Sequence, residues 1–372
     1  MKIFLAGDVM TGRGIDQALP HPCAPPLHEP FMESALGYVR LAERAHGPIA
    51  RPLDFASLWG EALEELDRVR PHARVVNLET SITRSEAYAP KGINYRMSPE
   101  NAACLAAAGI DCCVLANNHM LDWGRGGLLD TLSTLRRLHI ETAGAGRDLA
   151  AARAPAILDI PGEGRLLVYS FACATSGVPR HWAATPDAPG VNMLSDLSEA
   201  TVADIASRIA EARRPRDIVV ASIHWGPNWG HRIAERERAF AHGLIARAGV
   251  SIVHGHSAHH AKAIEVYRDR FILYGCGDLL NDYEGIGGYE KFRDDLVLMY
   301  FADVDAAGAL LALDMAPLQI RRFRLVRAAR EDAAWLQRRL DRESRPFGTR
   351  IALGRNGRLA AQGSGASGDG IS

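Results

Sequence analysis

Ile218-Val219-Val220-Ala221-Ser222-Ile223-His224 is an apolar, largely β-branched run that stops on a side chain able to bind a metal or carry a proton. Four other runs end the same way. Ile3 to Ala6 leads into Gly7-Asp8, Val75-Val76 into Asn77-Leu78-Glu79, Cys112 to Ala116 into Asn117-Asn118-His119, and Val250 to Val253 into His254-Gly255-His256. Short runs of this kind read as buried strands. Helical patterns separate them, at about Phe55 to Arg70, Pro99 to Ala108, Gly126 to Leu138, Leu194 to Arg214 and Ala234 to Ala248. That order predicts an α/β fold with a mostly parallel sheet. In such sheets ligands sit beyond the carboxyl ends of the strands, so residues far apart in sequence converge on one rim. One polar residue leaving a strand means little. Five that carry Asp, Glu, Asn and His predict a site of oxygen and nitrogen donors suited to divalent metal.

The pattern changes after Ala263. Ile264 to Tyr267 and Arg270 to Tyr274 read as a hairpin, and Asp295 to Phe301 and Gly308 to Met315 as further short strands. Late strands with tight connections turn a doubly wound sheet into a mixed α/β sandwich. Between Gly12 and about Pro52 lies a proline- and histidine-rich stretch expected to be irregular, and a connection that long is usually functional. Near the end, about Glu331 to Arg342 reads as an amphipathic helix. The expected organisation is one catalytic-type domain over 1–328, a helical extension over 329–362 and a flexible Gly/Ser tail over 363–372.

The 372 residues carry a formal charge of −1, so no basic field for nucleic acid or anionic membrane is present. Six cysteines form no C-x-x-C pair and read as reduced core residues. The start of the chain turns into Gly7-Asp8 before a signal-type apolar region can form, and no stretch is long enough to span a bilayer. These features lead to the expectation of a soluble, cytoplasmic protein without nucleic-acid or membrane partners. Gly144-Ala145-Gly146 and Gly12-Arg13-Gly14 lack the remainder of a nucleotide-binding fingerprint.

The set G-D-V-M at Gly7 to Met10, N-L-E-T at Asn77 to Thr80, A-N-N-H at Ala116 to His119, H-W-G at His224 to Gly226 and G-H-S-A-H at Gly255 to His259 resembles the CapA family. That family is a branch of the calcineurin-like metallophosphatases. The section Tyr274 to Asp278, followed by Asn281-Asp282-Tyr283, fits the same family, so the resemblance spans about Met1 to Met315. It implies a four-layer α/β/β/α sandwich with mixed sheets and a dinuclear centre of Mn, Zn, Fe or Ca. Carried onto this chain, the metal ligands are Asp8, Glu79, Asn118, His224, His256 and His259. His119 becomes a charge stabiliser or proton donor. This sequence departs from the phosphatases at Met10, where they carry a histidine, and its closing histidines offer several spacings, with His254 and His260 as further candidates. A thioether adds little affinity for a hard cation.

Other residues complete the expected site. Asp122 is placed to orient His119 or to cap the following helix. Arg13 is a candidate anchor for an anionic substrate group or a partner of Glu79. Trp225 and Trp229 flank the H-W-G loop and could form a substrate wall, and Asp278 and Asp282 could close the rim. A pair of divalent ions suits hydrolysis of an amide or phosphoester. The same oxyanion stabilisation suits proton exchange at an α-carbon, with His119 and His256 on the two faces. The resemblance implies a peptide or polyglutamate-like substrate. Metal-assisted hydrolysis is the leading expectation, peptide Cα-epimerisation the alternative, and a non-catalytic metal-stabilised binding module the third reading.

Overall fold

Alternate residues of the strand Lys2–Val9 face opposite ways and both faces are buried. Ile3 and Leu5 enter one apolar core, while Phe4 and Ala6 enter another. The strand Ile218–His224 behaves alike: Ile218 and Val220 share the core of Ile3 and Leu5, whereas Val219, Ala221 and Ile223 point into a third. A period of two with both faces apolar is what a strand covered on both sides requires. A computed structural model describes residues 1–363.

Two sheets result. In the larger, Lys2–Val9 runs parallel to Ala73–Leu78, which is followed by Cys112–Val114 and Glu141–Ala143. On its other side Leu296–Val304 and then Leu310–Arg321 pair antiparallel. The short strand Asp278–Leu280 adds in parallel beside Asp8 and Val9. In the smaller sheet, Gly164–Ala172, Ile218–His224, Ile252–His256 and Arg270–Leu273 are parallel neighbours. Ala156–Ile160 and Ile264–Tyr267 close its two edges antiparallel.

The shared core between the sheets contains Leu5, Val75 and Val114 from one and Val168, Val220 and Phe271 from the other. The outer face of the larger sheet packs on Ile15, Val39, Leu66, Leu128 and Leu135, which lie on helices. The outer face of the smaller packs on Glu199–Ala212 and Glu235–Ala248 through Val202, Ile205, Phe240 and Leu244. The architecture is therefore the expected four-layer α/β/β/α sandwich with mixed sheets. Each fully buried Val or Leu in these layers contributes about 1.5–3 kcal/mol by leaving water.

Two regions differ from the sequence expectation. The stretch Gly12 to Pro52 is not irregular throughout, because it holds helices Arg13–Ala18 and Leu36–His46. Tyr38, Val39 and Ala42 form a buried stripe at helical spacing, masked in the sequence by surrounding proline and histidine. Beyond the helix Arg330–Ser344, residues Thr349–Leu353 and Leu359–Gly363 form a hairpin whose second strand joins Leu310–Arg321. Of the expected tail, Gly363 ends this hairpin and 364–372 lie outside the described residues. All six cysteines are free and buried. Among the described residues, no helix is long and apolar enough to cross a membrane.

Candidate metal centre

The carboxyl ends of the two parallel sets meet. Gly7 allows this on the larger sheet, since a Cβ there would stand 1.7 Å from the Gly277 carbonyl oxygen. The close approach lets the Asp8 amide donate to Gly277 O at 3.0 Å and brings Asp278 into register beside Asp8. Asn77 lies on the opposite side in register with Asp8 and donates from Nδ2 to Asp8 Oδ1 at 2.7 Å and to Glu79 Oε2 at 3.3 Å. Asn117 Nδ2 donates to Asn77 Oδ1 at 3.0 Å and so holds that amide in place.

From the smaller sheet, His224 and His256 stand in register with their Nδ1 atoms 2.8 Å apart. His224 Nε2 is 2.9 Å from Asn118 Oδ1 and 3.9 Å from Glu79 Oε1. His256 Nδ1 lies 3.9 Å from Asp8 Oδ1. Ser257, at φ 100°, turns the chain back so that His259 reaches Asp278, Nδ1 to Oδ1 at 2.9 Å.

Two groups able to hold a cation emerge: Asp8 with His224 and His256, and Asp8 with His259 and Asp278. In each, one donor atom from every residue lies within 4.8 Å of the others. Both groups use Asp8. Its Oδ2 is buried and has no hydrogen-bond partner, a costly state for a carboxylate oxygen unless a cation completes it. Carboxylate oxygens, an amide oxygen and imidazole nitrogens are the donors that divalent zinc, manganese or iron accept. The residues present therefore fit a divalent-metal centre.

The electrostatics agree at Asp8, Glu79, His224 and His256, while at His259 the two aspartates favour a positive charge. Burial, then the neighbouring Asp278, pushes the Asp8 carboxyl from 3.8 to about 7. Burial, then Asp8, also holds the Glu79 carboxyl well above its ordinary range. Burial and, after it, His119 depress His224; burial, His224 and His254 depress His256, so both rings are neutral as ligation requires. Burial alone would lower His259, yet Asp278 and Asp8 outweigh it and raise its pKa.

Beside this cluster, His119 Nδ1 meets Asp122 Oδ2 at 2.6 Å, and its Nε2 points toward Glu79 Oε1 at 3.7 Å. Asp122 also accepts from Lys91 Nζ at 2.8 Å and from the Tyr95 amide at 2.7 Å. Burial, further helped by Lys91 but opposed by Asp122, lowers His119 to about 4. Lys91 also donates to Asn118 O.

The remaining candidates fall elsewhere. The Arg13 guanidinium does not face Glu79; it is buried against Asp282 and Glu29 and lies 3.8 Å over the Tyr38 ring. That geometry occupies the fork expected for substrate and spends Asp282 on Arg13. Trp225 is buried, with its Nε1 donating to Tyr274 O at 3.0 Å, so it packs behind the site and forms no wall. Trp229 is half-buried, stacked on Tyr289 with centroids 4.0 Å apart, and lies 5.3 Å from the His259 ring. His254 is engaged by Ser222 Oγ at 3.0 Å and Ala6 O at 2.9 Å, and His260 by Gly230 N at 3.1 Å. His256 is wholly buried between His224 and Ser222, which suits a ligand and leaves no face open to substrate.

Residues 2–283 match the family described as bacterial capsule synthesis protein PGA_cap. The chain belongs to this family. A probable polyglutamine synthesis accessory protein of Mycobacterium tuberculosis is 48% identical over 354 residues, covering 94% of this chain and 93% of the relative. The capsule biosynthesis protein CapA of Bacillus anthracis is 27% identical over 63% of this chain and 53% of its own length. A 5'-nucleotidase precursor from Thermus thermophilus superposes with a TM-score of 0.46 at 13% identity, over 86% of this chain and 54% of that one. The resemblance in the five motifs is thus a family relationship, and Asp278, the ligand candidate least evident from sequence, lies inside the matched segment.

Proposed function

We propose that this capsule-synthesis family member is a divalent-metal-dependent enzyme that hydrolyses an amide bond in a peptide or polyglutamate-like chain. The carrying observation is the buried Asp8 carboxylate shared by two ligand groups, with the His119–Asp122 pair at their edge. Asp8, Glu79, Asn118, His224, His256, His259 and Asp278 would hold about two ions, the arrangement known for metal-assisted hydrolysis. When bound, such ions supply Lewis acidity at a carbonyl oxygen and bring the pKa of water toward neutrality.

This chain's own residues do the rest. Asp122 fixes the Nδ1–H tautomer of His119, which leaves Nε2 free to take a proton from the attacking water and return it to the leaving amine. Lys91 Nζ donates to Asp122 Oδ1 at 2.8 Å and lies 3.3 Å from His119 Nδ1. Trp229, stacked on Tyr289 beside His259, would lend an apolar edge to a substrate stem. The substrate class is supported by the names of the relatives, one of polyglutamine synthesis and one of capsule biosynthesis.

The test is incubation of the purified chain with synthetic glutamate oligomers and manganese, followed by mass spectrometry. Shortened oligomers that disappear in His119→Gln support the proposal. Intact oligomers throughout, with metal bound, contradict it and favour a binding role.

A further inference from the structure

The two ligand groups differ in what stands behind their histidines. His224 and His256 point their Nδ1 atoms at each other from within the smaller sheet, and both are buried. His259 instead reaches from the centre to the surface. Its Nδ1 faces Asp278 Oδ1 at 2.9 Å, and its Nε2 faces Nδ2 of the exposed Asn228 at 2.9 Å.

Asn228 is exposed but held. Its carbonyl oxygen accepts from the His259 amide at 3.0 Å, so the two residues meet through backbone and side chain alike. The loop before it is tied down at Gly226, whose amide donates to Thr175 Oγ1 at 3.0 Å and whose carbonyl accepts from Ser257 Oγ at 3.2 Å. Pro227 restricts the next step of the chain. After Asn228, Trp229 is stacked on Tyr289.

An imidazole that binds an ion through Nδ1 keeps its hydrogen on Nε2. That hydrogen requires an acceptor, which also fixes the plane of the ring. A side-chain amide carries an acceptor at one end and a donor at the other. A half-turn about the Cβ–Cγ bond of Asn228 brings Oδ1 to the place of Nδ2, so this residue pairs with Nε2 whether or not it carries hydrogen. Among the described residues, no other side chain is hydrogen-bonded to His259 Nε2.

We propose that Asn228 is a positioning residue of the metal centre. It orients His259 for the ion held with Asp8 and Asp278, and has no part in holding the ion at His224 and His256. This role rests on the two-ion reading above but not on which bond is hydrolysed. It makes the affinities of the two groups separately adjustable, one of them from an exposed loop.

Isothermal titration of the chelator-stripped full chain with manganese tests this. Asn228→Leu, which removes donor and acceptor at an exposed position, should weaken one of two binding steps by roughly 10–100-fold and leave the other unchanged. Asn228→Asp restores an acceptor and should bind both ions at least as tightly as wild type. In an Asp278→Asn background, where the affected ion is already lost, Asn228→Leu should change nothing further. Two unchanged steps in Asn228→Leu, or equal losses in both, would overturn the assignment. So would an Asn228→Asp variant as weak as Asn228→Leu, or a further loss in the double variant. A wild type that takes up no manganese defeats the two-ion reading itself, and the role of Asn228 with it.

Discussion

Asp8 and Asp278 stand in register on adjacent parallel strands, both fully buried, and Asp8 is also within ligand distance of histidines from the opposite sheet. Two carboxylates brought together out of water repel one another, and the fold tolerates this only where a cation is expected between them.

The first consequence is a pH-dependent metal effect. With its pKa raised from 3.8 to about 7 by burial and Asp278, Asp8 retains a proton in the metal-free fold that the unfolded chain has already lost. Metal-free stability from this group is therefore present below the unfolded value and declines as pH rises from about 4 through 7. Metal replaces the proton, so the rise in Tm on adding manganese should be larger at pH 8 than at pH 5.5. Scanning calorimetry with and without metal measures it, and an equal or reversed shift would contradict the assignment of Asp8.

His119→Gln should lower turnover by roughly 10²–10⁴-fold while leaving metal content unchanged, because its Nε2 handles the proton. Asp122→Asn acts through His119 and should cost less, roughly 10–100-fold. Steady-state kinetics beside elemental analysis separate the two. Equal, mild losses at both positions would indicate a binding scaffold.

Arg13 is expected to matter for stability rather than for substrate affinity. Its removal leaves Asp282 and Glu29 buried without their cation, a loss of roughly 3–5 kcal/mol in such pairs. Urea denaturation of Arg13→Met measures this. A variant as stable as wild type with a raised KM would restore Arg13 as a substrate anchor.

Much of the site was legible because its strands carry their message in short apolar runs. Asp8, Glu79, His224 and His256 each follow such a run, and strand direction alone gathers them. Asp278 was harder, since Asp278–Leu280 has only three residues and its place depends on Gly7 and Gly277 touching. Lys91 carried no sequence signal: it comes from an irregular segment and is positioned by Asp122 and Asn118. Spacing could not choose among His254, His256, His259 and His260. The choice is made by Ser222 and Ala6 O engaging His254, and by the turn at Ser257 that carries His259 to Asp278. Arg13 and Trp225 were misplaced because sequence does not reveal that Asp282, Glu29 and Tyr274 surround them.

Met10 is buried beside the metal-site strand, offers only a thioether that adds little affinity for a hard cation, and its sulfur is engaged by the Tyr283 hydroxyl at 3.5 Å. Simple aryl phosphates should accordingly be poor substrates even with manganese. An acidic peptide incubated in heavy water and read by mass spectrometry should give two smaller products. A single product heavier by one deuterium would instead establish exchange at an α-carbon, and vigorous aryl phosphate hydrolysis would show that Met10 does not impair the site.

The sharing of Asp8 is tested most directly by elemental analysis of metal-reconstituted wild type, Asp278→Asn and Asp8→Asn. The expected contents are about two, about one and close to zero divalent ions per chain, because Asp278 serves one ligand group and Asp8 serves both. Asp8→Asn that keeps the wild-type metal content, or a wild type that binds none, would contradict the account.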